Sequence, residues 1–458
     1  MIRSFVSFLF FVTAALAEPA DWIVTAKYVV TMDGARRLIE DGAVAVRGER
    51  IAAVGQRAEI LKRFQAKARL DRPAAILLPG LVNAHAHAPM SLLRGIADDL
   101  KLQEWLEKFI FPAEAKNVNP EFVRWGTRLA CLEMALAGVT TYADMYYFEE
   151  VVAEATKEAG LRGVLGETII NFPVPDARSP ADGLVRTEAF LRRFQNDPLI
   201  VPAVAPHALY TNTEETLRAC RALANRYGVP LLTHLSETKT ENDDIRAKWQ
   251  ASPAQLLDRY GFFEGKTLVA HAVWVDEADR KILRDRGVGV AHCPSSNTKL
   301  ASGVAPVVAM LAAGLAVGLG TDGPAGSNND FNLFEEMDLA AKMQKVSTGN
   351  PQALPARQAL EMATTLGAKA LSLDREIGSL EAGKRADLIT VSIEQPHAVP
   401  MYDVYSQLVY ALKGSDVRDV MVNGRLIVRE RQSLTLNAGA ILAKAGEFRA
   451  MISASLRK

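Results

Sequence analysis

Net charge is the first thing this chain lacks. Its 53 Lys and Arg residues balance 53 Asp and Glu residues, for a formal charge of +0. No basic tract rises above that background, so no nucleic-acid partner is expected, because phosphate recognition needs concentrated positive charge. A small neutral substrate fits better. Cysteine is scarce too: Cys131, Cys220 and Cys293 are odd in number and irregularly spaced, which excludes a disulfide framework. Three buried thiols are expected, with one bridge open to an exported chain. Long apolar runs are missing beyond the first residues, so no spanning helix is expected downstream. Internal repeats and low-complexity segments are absent as well. What remains, 49% hydrophobic and 23% charged over 458 residues, is the balance of an ordinary globular protein.

The N-terminus carries an address. Met1-Ile2-Arg3 is a short basic start, Ser4 to Ala14 is an apolar run, and Ala15-Leu16-Ala17 offers the small residues that a signal peptidase reads. Residues 1–17 are thus expected to be a signal peptide cleaved after Ala17. The mature chain would be exported, to the periplasm, with no membrane contact after processing. It would be cytoplasmic if the start is assigned too early.

Two textures follow. Trp22 to Val30, Ala43 to Val46 and Arg50 to Val54 read as short β-strands, and Ala386 to Val391 and Val417 to Val428 repeat that texture at the other end. Asn423-Gly424 is a strong hairpin turn. In between, short apolar strands alternate with helical stretches such as Phe122 to Ala137, Thr213 to Tyr227 and Ser252 to Tyr260. The strands are placed at Ala75 to Leu78, Thr140 to Asp144, Gly163 to Glu167, Val201 to Ala205, Leu231 to His234, Leu268 to His271, Gly289 to His292 and Val317 to Asp322. Eight strand-helix units mean a closed α/β barrel of the (β/α)8, TIM type. An open doubly wound sheet lacks support, because no Gly-rich phosphate turn opens the first helix. The domains are expected at 18–74 and 376–458 for β structure from the two ends, the latter with a terminal helix, and at 75–375 for the barrel.

Six of the seven histidines fall at the C-terminal ends of the expected barrel strands; His397 lies outside. Active sites in this architecture gather at that face. His85 and His87, spaced i and i+2 on an extended chain, point to one side and can share an ion. His234 and Asp322 each end a continuous apolar strand, as a strand buried on both faces should. Three imidazoles and a carboxylate suit zinc, or ferrous iron, with a position left for water. Asp322 beside the ion can take the proton of that water. Glu237, three residues past a ligand, is placed to shuttle a proton to a leaving nitrogen. His271 can polarise the attacking water or the developing alkoxide.

The stretch Leu78-Pro79-Gly80-Leu81-Val82-Asn83-Ala84-His85-Ala86-His87 and its continuation to Gly95 resembles the amidohydrolase superfamily. The closer likeness is to its branch of adenosylhomocysteine and methylthioadenosine deaminases, chlorotriazine hydrolases and guanine deaminases. Ala205-Pro206-His207, Thr233-His234-Leu235-Ser236-Glu237, Val269-Ala270-His271, His292-Cys293-Pro294-Ser295-Ser296-Asn297 and Gly320-Thr321-Asp322-Gly323-Pro324 extend it in order. The resemblance implies a barrel with a small β-sandwich built from both chain ends. It implies one divalent metal ion, because His207 stands in the region where two-metal members carry a bridging lysine. It assigns His85, His87, His234 and Asp322 to the metal and Glu237, His271 and Asp322 to proton transfer. Trp105, Glu114, His207 and Glu237 would hold a small heterocyclic substrate: Trp105 packing on it, Glu114 taking ribose hydroxyls, His207 reaching the purine or ribose. The activity implied is deamination of an adenine nucleoside at C6, with a guanine, pterin or triazine deaminase or a chlorotriazine hydrolase as the alternative. A homo-oligomer is expected. Members that prefer adenosylhomocysteine carry an arginine after the third strand, where this chain aligns Glu167. That carboxylate would repel an amino-acid tail, so the expectation leans to a neutral 5′ substituent.

Overall fold

Gly80 is where one architecture becomes another. A side chain there would collide with Thr140, so only glycine lets a strand of the outer sheet pass directly into the barrel. The structure, a computed structural model, describes residues 17–457; the expected signal peptide lies almost wholly outside the described residues. Before Gly80 run β1 (Glu18–Val30), β2 (Leu38–Arg47), β3 (Arg50–Gln56) and the long β4 (Phe64–Pro79). After it come the barrel strands β5 (Leu81–Ala86), β6 (Val139–Tyr146), β7 (Arg162–Ile169), β8 (Ile200–Pro206), β9 (Leu231–Leu235), β10 (Thr267–His271), β11 (Gly289–His292) and β12 (Ala316–Leu319). The chain returns to the sheet with β13 (Leu388–Ser392), β14 (Val417–Val422), β15 (Arg425–Arg429) and β16 (Gln432–Ser433).

The eight barrel strands are parallel and close in sequence order, Leu319 of β12 pairing with Asn83 of β5. Residues of β5, β6, β7, β9, β10, β11 and β12 are buried throughout, because helices cover the outside and packed side chains fill the inside. One placement needs correcting. Ala75 to Leu78, expected as the first barrel strand, is the end of β4 and pairs with β13 in the sheet; the boundary falls at Gly80, not after residue 74. The run is apolar because β4 is sandwiched there, which gives it the look of a barrel strand.

The two chain ends form one hydrogen-bonded mixed sheet, ordered β16-β15-β14-β13-β4-β1-β2-β3. The expected small sandwich is therefore a single continuous sheet by hydrogen bonding. Its alternate residues build separate apolar clusters, Val24, Val44 and Val46 in one and Ile23, Ala43 and Ala45 in the other, as period-2 alternation requires. Asn423 and Gly424, both in the left-handed region, make the β14–β15 turn.

The barrel helices start where their capping residues dictate. Asn119 accepts from the Glu121 and Phe122 amides to open Pro120–Leu136, Thr213 caps Glu214–Tyr227, and Ser252 with Gln255 forms a capping box on Pro253–Arg259. The terminal helix Ala438–Leu456 buries Ile441, Phe448 and Ile452, Phe448 meeting Phe122 of the barrel edge-on at 5.9 Å. Among the described residues no helix is long and apolar enough to cross a membrane. All three cysteines are free and buried.

Candidate active site

The C-terminal ends of β5, β9, β10 and β12 bring His85, His87, His234, His271 and Asp322 together. His85, His87 and Asp322 offer ligand atoms within 4.8 Å of one another, as do His85, His234 and His271. The Asp322 Oδ1 lies 3.4 Å from His85 Nε2 and 3.3 Å from His87 Nε2, and His87 and His234 approach through Nε2 at 3.4 Å. Two backbone carbonyls aim the rings. His87 Nδ1 meets the Met145 carbonyl at 2.7 Å and His234 Nδ1 meets the His207 carbonyl at 2.7 Å. Each carbonyl can only accept, so each ring carries a proton on Nδ1 and turns Nε2 inward, bare whenever the ring is neutral. His85 Nε2 is buried with no hydrogen-bond partner. Bare imidazole nitrogens converging on one carboxylate oxygen, one of them orphaned, fit a divalent cation.

Charge reinforces the geometry. Burial pushes His85 down to about 4, His207 to about 3 and His234 well below the usual imidazole range. At His87 burial is outweighed by the adjoining Asp322 and by Asp144, which lift it to about 9, so the carboxylates favour a positive charge at this point that a cation bound there would supply in place of the Nε2 proton. Burial of Asp322 is outweighed in turn by its contacts with His85 and His87, which hold it well below the ordinary carboxylate range. Burial raises Glu237, whose Oε2 stands 3.8 Å from His271 Nε2. The backbone is strained where the chemistry sits: Ser236, His271, Ala272 and Asp322 are all left-handed non-glycine residues, with φ of 50°, 71°, 47° and 62°.

A cavity lined by both apolar and polar side chains opens over this cluster. Trp105, Glu114, His207, Glu237, His271 and Asp322 all line it, so the residues expected around a substrate meet in one place. Trp105 is pinned by its indole N–H donating to the Ala325 carbonyl at 2.9 Å. Glu114 is buried, accepts from the Tyr146 hydroxyl at 2.7 Å, and is pushed up to about 7 by burial. His207 Nδ1 lies 3.1 Å from the Thr211 hydroxyl.

Glu167 is the exception. Its neighbour Thr168 lines the cavity, whereas Glu167 points away from it, accepting from the Glu149 amide at 3.0 Å and pairing with Arg186 at 3.3 Å. It cannot repel a ligand tail at contact range, and Arg186, tied to Glu167, Asp176 and Glu150, supplies the cavity with no cation. Sequence reasoning also missed Tyr146, Tyr147 and Tyr210 in the lining. The paired tyrosines at the end of β6 were the available signal, since strand ends carry the site in such barrels.

With that geometry in view, the comparisons fall into place. The amidohydrolase family matches residues 76–427, and a bacterial imidazolonepropionase-like composite domain matches residues 42–64. The chain belongs to the amidohydrolase family and is a hydrolase acting on carbon–nitrogen bonds. It is 44% identical to a 5-methylthioadenosine/S-adenosylhomocysteine deaminase of Syntrophus aciditrophicus, over 96% of this chain and 99% of that one. It is 43% identical to a 5′-deoxyadenosine deaminase of Methanosarcina acetivorans, over 93% and 97%. Among solved structures it is similar to an adenosine deaminase from Xanthomonas campestris with bound zinc, at a TM-score of 0.94 and 39% identity, covering 96% of this chain and all of that one.

Proposed function

We propose that this protein deaminates an adenine nucleoside at C6, releasing ammonia and leaving the inosine analogue. The observation that carries the reading is the meeting of His85, His87, His234 and Asp322 beneath a cavity that the buried Glu237 also lines. His85, His87, His234 and Asp322 would hold one divalent ion, zinc in preference to ferrous iron. Bound there, the ion supplies a Lewis acid that eases deprotonation of water near neutral pH. Asp322 would take the first proton of the attacking water, and His271 the second, from the hydroxyl formed at C6. Glu237, whose burial favours the protonated form, would give a proton to the ring nitrogen and make C6 electrophilic. A C–O bond forms at C6, Asp322 returns its proton to the amine, the C–N bond breaks with loss of ammonia, and the proton His271 has taken passes back to Glu237 beside it.

Trp105 would pack against the base or ribose, and Glu114 would accept from the ribose hydroxyls. The 5′ group would lie toward Leu106, Phe111 and Tyr210, which also border an outer recess with Phe172. Among the described residues neither the cavity nor this recess is lined by Lys or Arg, so a zwitterionic tail finds no cation among them. Methylthioadenosine, 5′-deoxyadenosine and adenosine are therefore favoured over adenosylhomocysteine. Export through residues 1–17 would direct the activity at scavenged nucleosides; an uncleaved chain confined to the cytosol would count against that.

Ammonia release tests the proposal. The panel is adenosine, methylthioadenosine, 5′-deoxyadenosine, adenosylhomocysteine, guanine and an aminotriazine, on zinc-loaded protein beside Glu237→Gln. Turnover of the neutral 5′ nucleosides, lost in the variant, is expected. Silence on every nucleoside with turnover of guanine or a triazine would move the activity to another ring.

A further inference from the structure

The short helix Pro294–Lys299, which follows β11, turns two consecutive side chains toward the reacting groups. The Ser296 hydroxyl, fully buried, donates to Asp322 Oδ2 at 2.7 Å. Asn297 Oδ1, 1% exposed, lies 2.9 Å from His271 Nδ1. Backbone bonds fix both residues: the Ser296 carbonyl accepts from the Leu300 amide at 3.0 Å, and the Asn297 amide donates to the Cys293 carbonyl at 2.9 Å while its own carbonyl accepts from the Ser302 amide at 2.9 Å. His271 arrives at the meeting point in a left-handed turn off the end of β10, held by the Ala272 amide bonding to Leu235 at 3.0 Å. The backbone thus fixes where the imidazole sits but not which nitrogen bears its proton.

We infer that Asn297 is a positioning residue that sets the tautomer of His271. An amide oxygen only accepts, so His271 must carry hydrogen on Nδ1. Nε2 of the neutral ring is then bare and faces Glu237 and the ligand cluster, ready to take a proton. When it does, Nδ1–H bonded to Asn297 supports the imidazolium by a charge-assisted hydrogen bond. Ser296 completes the arrangement by occupying Asp322 Oδ2, which leaves Oδ1 to His85 and His87. One turn of helix thereby orients both proton acceptors. The Asn297 Nδ2, buried without a protein partner, marks the opposite amide orientation as the rival: it would give its hydrogen to Nδ1, place the ring proton on Nε2, and make His271 a donor.

This inference rests on His271 acting as a proton acceptor in the proposed reaction, but its test needs no substrate. Side-chain nitrogen NMR on the full-length protein labelled with 15N-histidine, zinc-loaded and assigned by subtraction of His271→Gln, reads the tautomer directly. The expected result is Nδ1–H in the wild type, a mixture of tautomers in Asn297→Ala, and Nδ1–H restored in Asn297→Asp, which is isosteric and an acceptor only. On any substrate that turns over, Asn297→Ala should lose about 10- to 100-fold in kcat, as outer-shell losses do, with KM and bound zinc unchanged. Nε2–H in the wild type would overturn the assignment without any variant. An unchanged tautomer in folded Asn297→Ala would overturn it as well. A lack of nucleoside turnover alongside the expected tautomers would instead count against the proposed substrate.

Discussion

Where the barrel strands begin, Arg162 of β7 reaches across to the outer sheet. It pairs with Asp387 at 3.1 Å, donates to the Pro198 carbonyl at 3.0 Å, and bonds to Asn423, so a buried cation is fully matched by the protein itself. Where the strands end, the polar groups are matched differently. His85 Nε2, both nitrogens of His292, Asp144 Oδ2 and Asn297 Nδ2 are buried there without a protein partner, and Ser236, His271, Ala272 and Asp322 there are left-handed. One end is built to be finished on folding. The other keeps unpartnered polar groups, the capacity the proposed ion, water and substrate would use, at a cost in strain and desolvation.

The comparison predicts where substitutions separate stability from activity. The largest effect should come at the reactive end: Glu237→Gln should lower kcat by about 10³-fold, in the range for a positioned acid, with zinc content and melting temperature nearly unchanged. Arg162→Ala, at the finished end, should do the reverse. Leaving Asp387 buried and unpaired should cost about 3 kcal/mol of stability, seen in chemical denaturation, while kcat/KM of the folded fraction stays at the wild-type value. A large activity loss there would erase the division between the ends.

The smallest effect expected is pH-dependent. Burial lifts Glu114 to about 7, so it is protonated below that pH and becomes a full acceptor above it. Nucleoside KM should therefore fall as pH rises through about 7. Glu114→Gln should raise KM about tenfold at pH 8, the worth of one charged hydrogen bond, and have little effect at pH 5.5. Equal effects at both pH values would remove Glu114 from ribose binding.

How much of this was legible in the sequence depends on the reach of each signal. His85, His87, His234, His271 and Asp322 could be read because each closes a strand, and strand ends in a closed barrel share one face. The parity of Glu167 could not. A strand buried on both sides loses its apolar-polar alternation, so nothing in Gly163 to Thr168 says which residues face the cavity; Thr168 does, and Glu167 does not. The same loss made Ala75 to Leu78 look like a barrel strand. Ser296 and Asn297 stood in a recognised motif, but their partners Asp322 and His271 are each 26 residues away, and only the closed barrel brings them together.

The central claim is that the reactive end is completed by a single ion. Elemental analysis of the purified full-length chain, beside His85→Ala and Asp322→Asn variants, tests it most directly. One zinc per chain in the wild type, lost from both folded variants, is the result predicted. No stoichiometric metal, or two ions per chain, would contradict it.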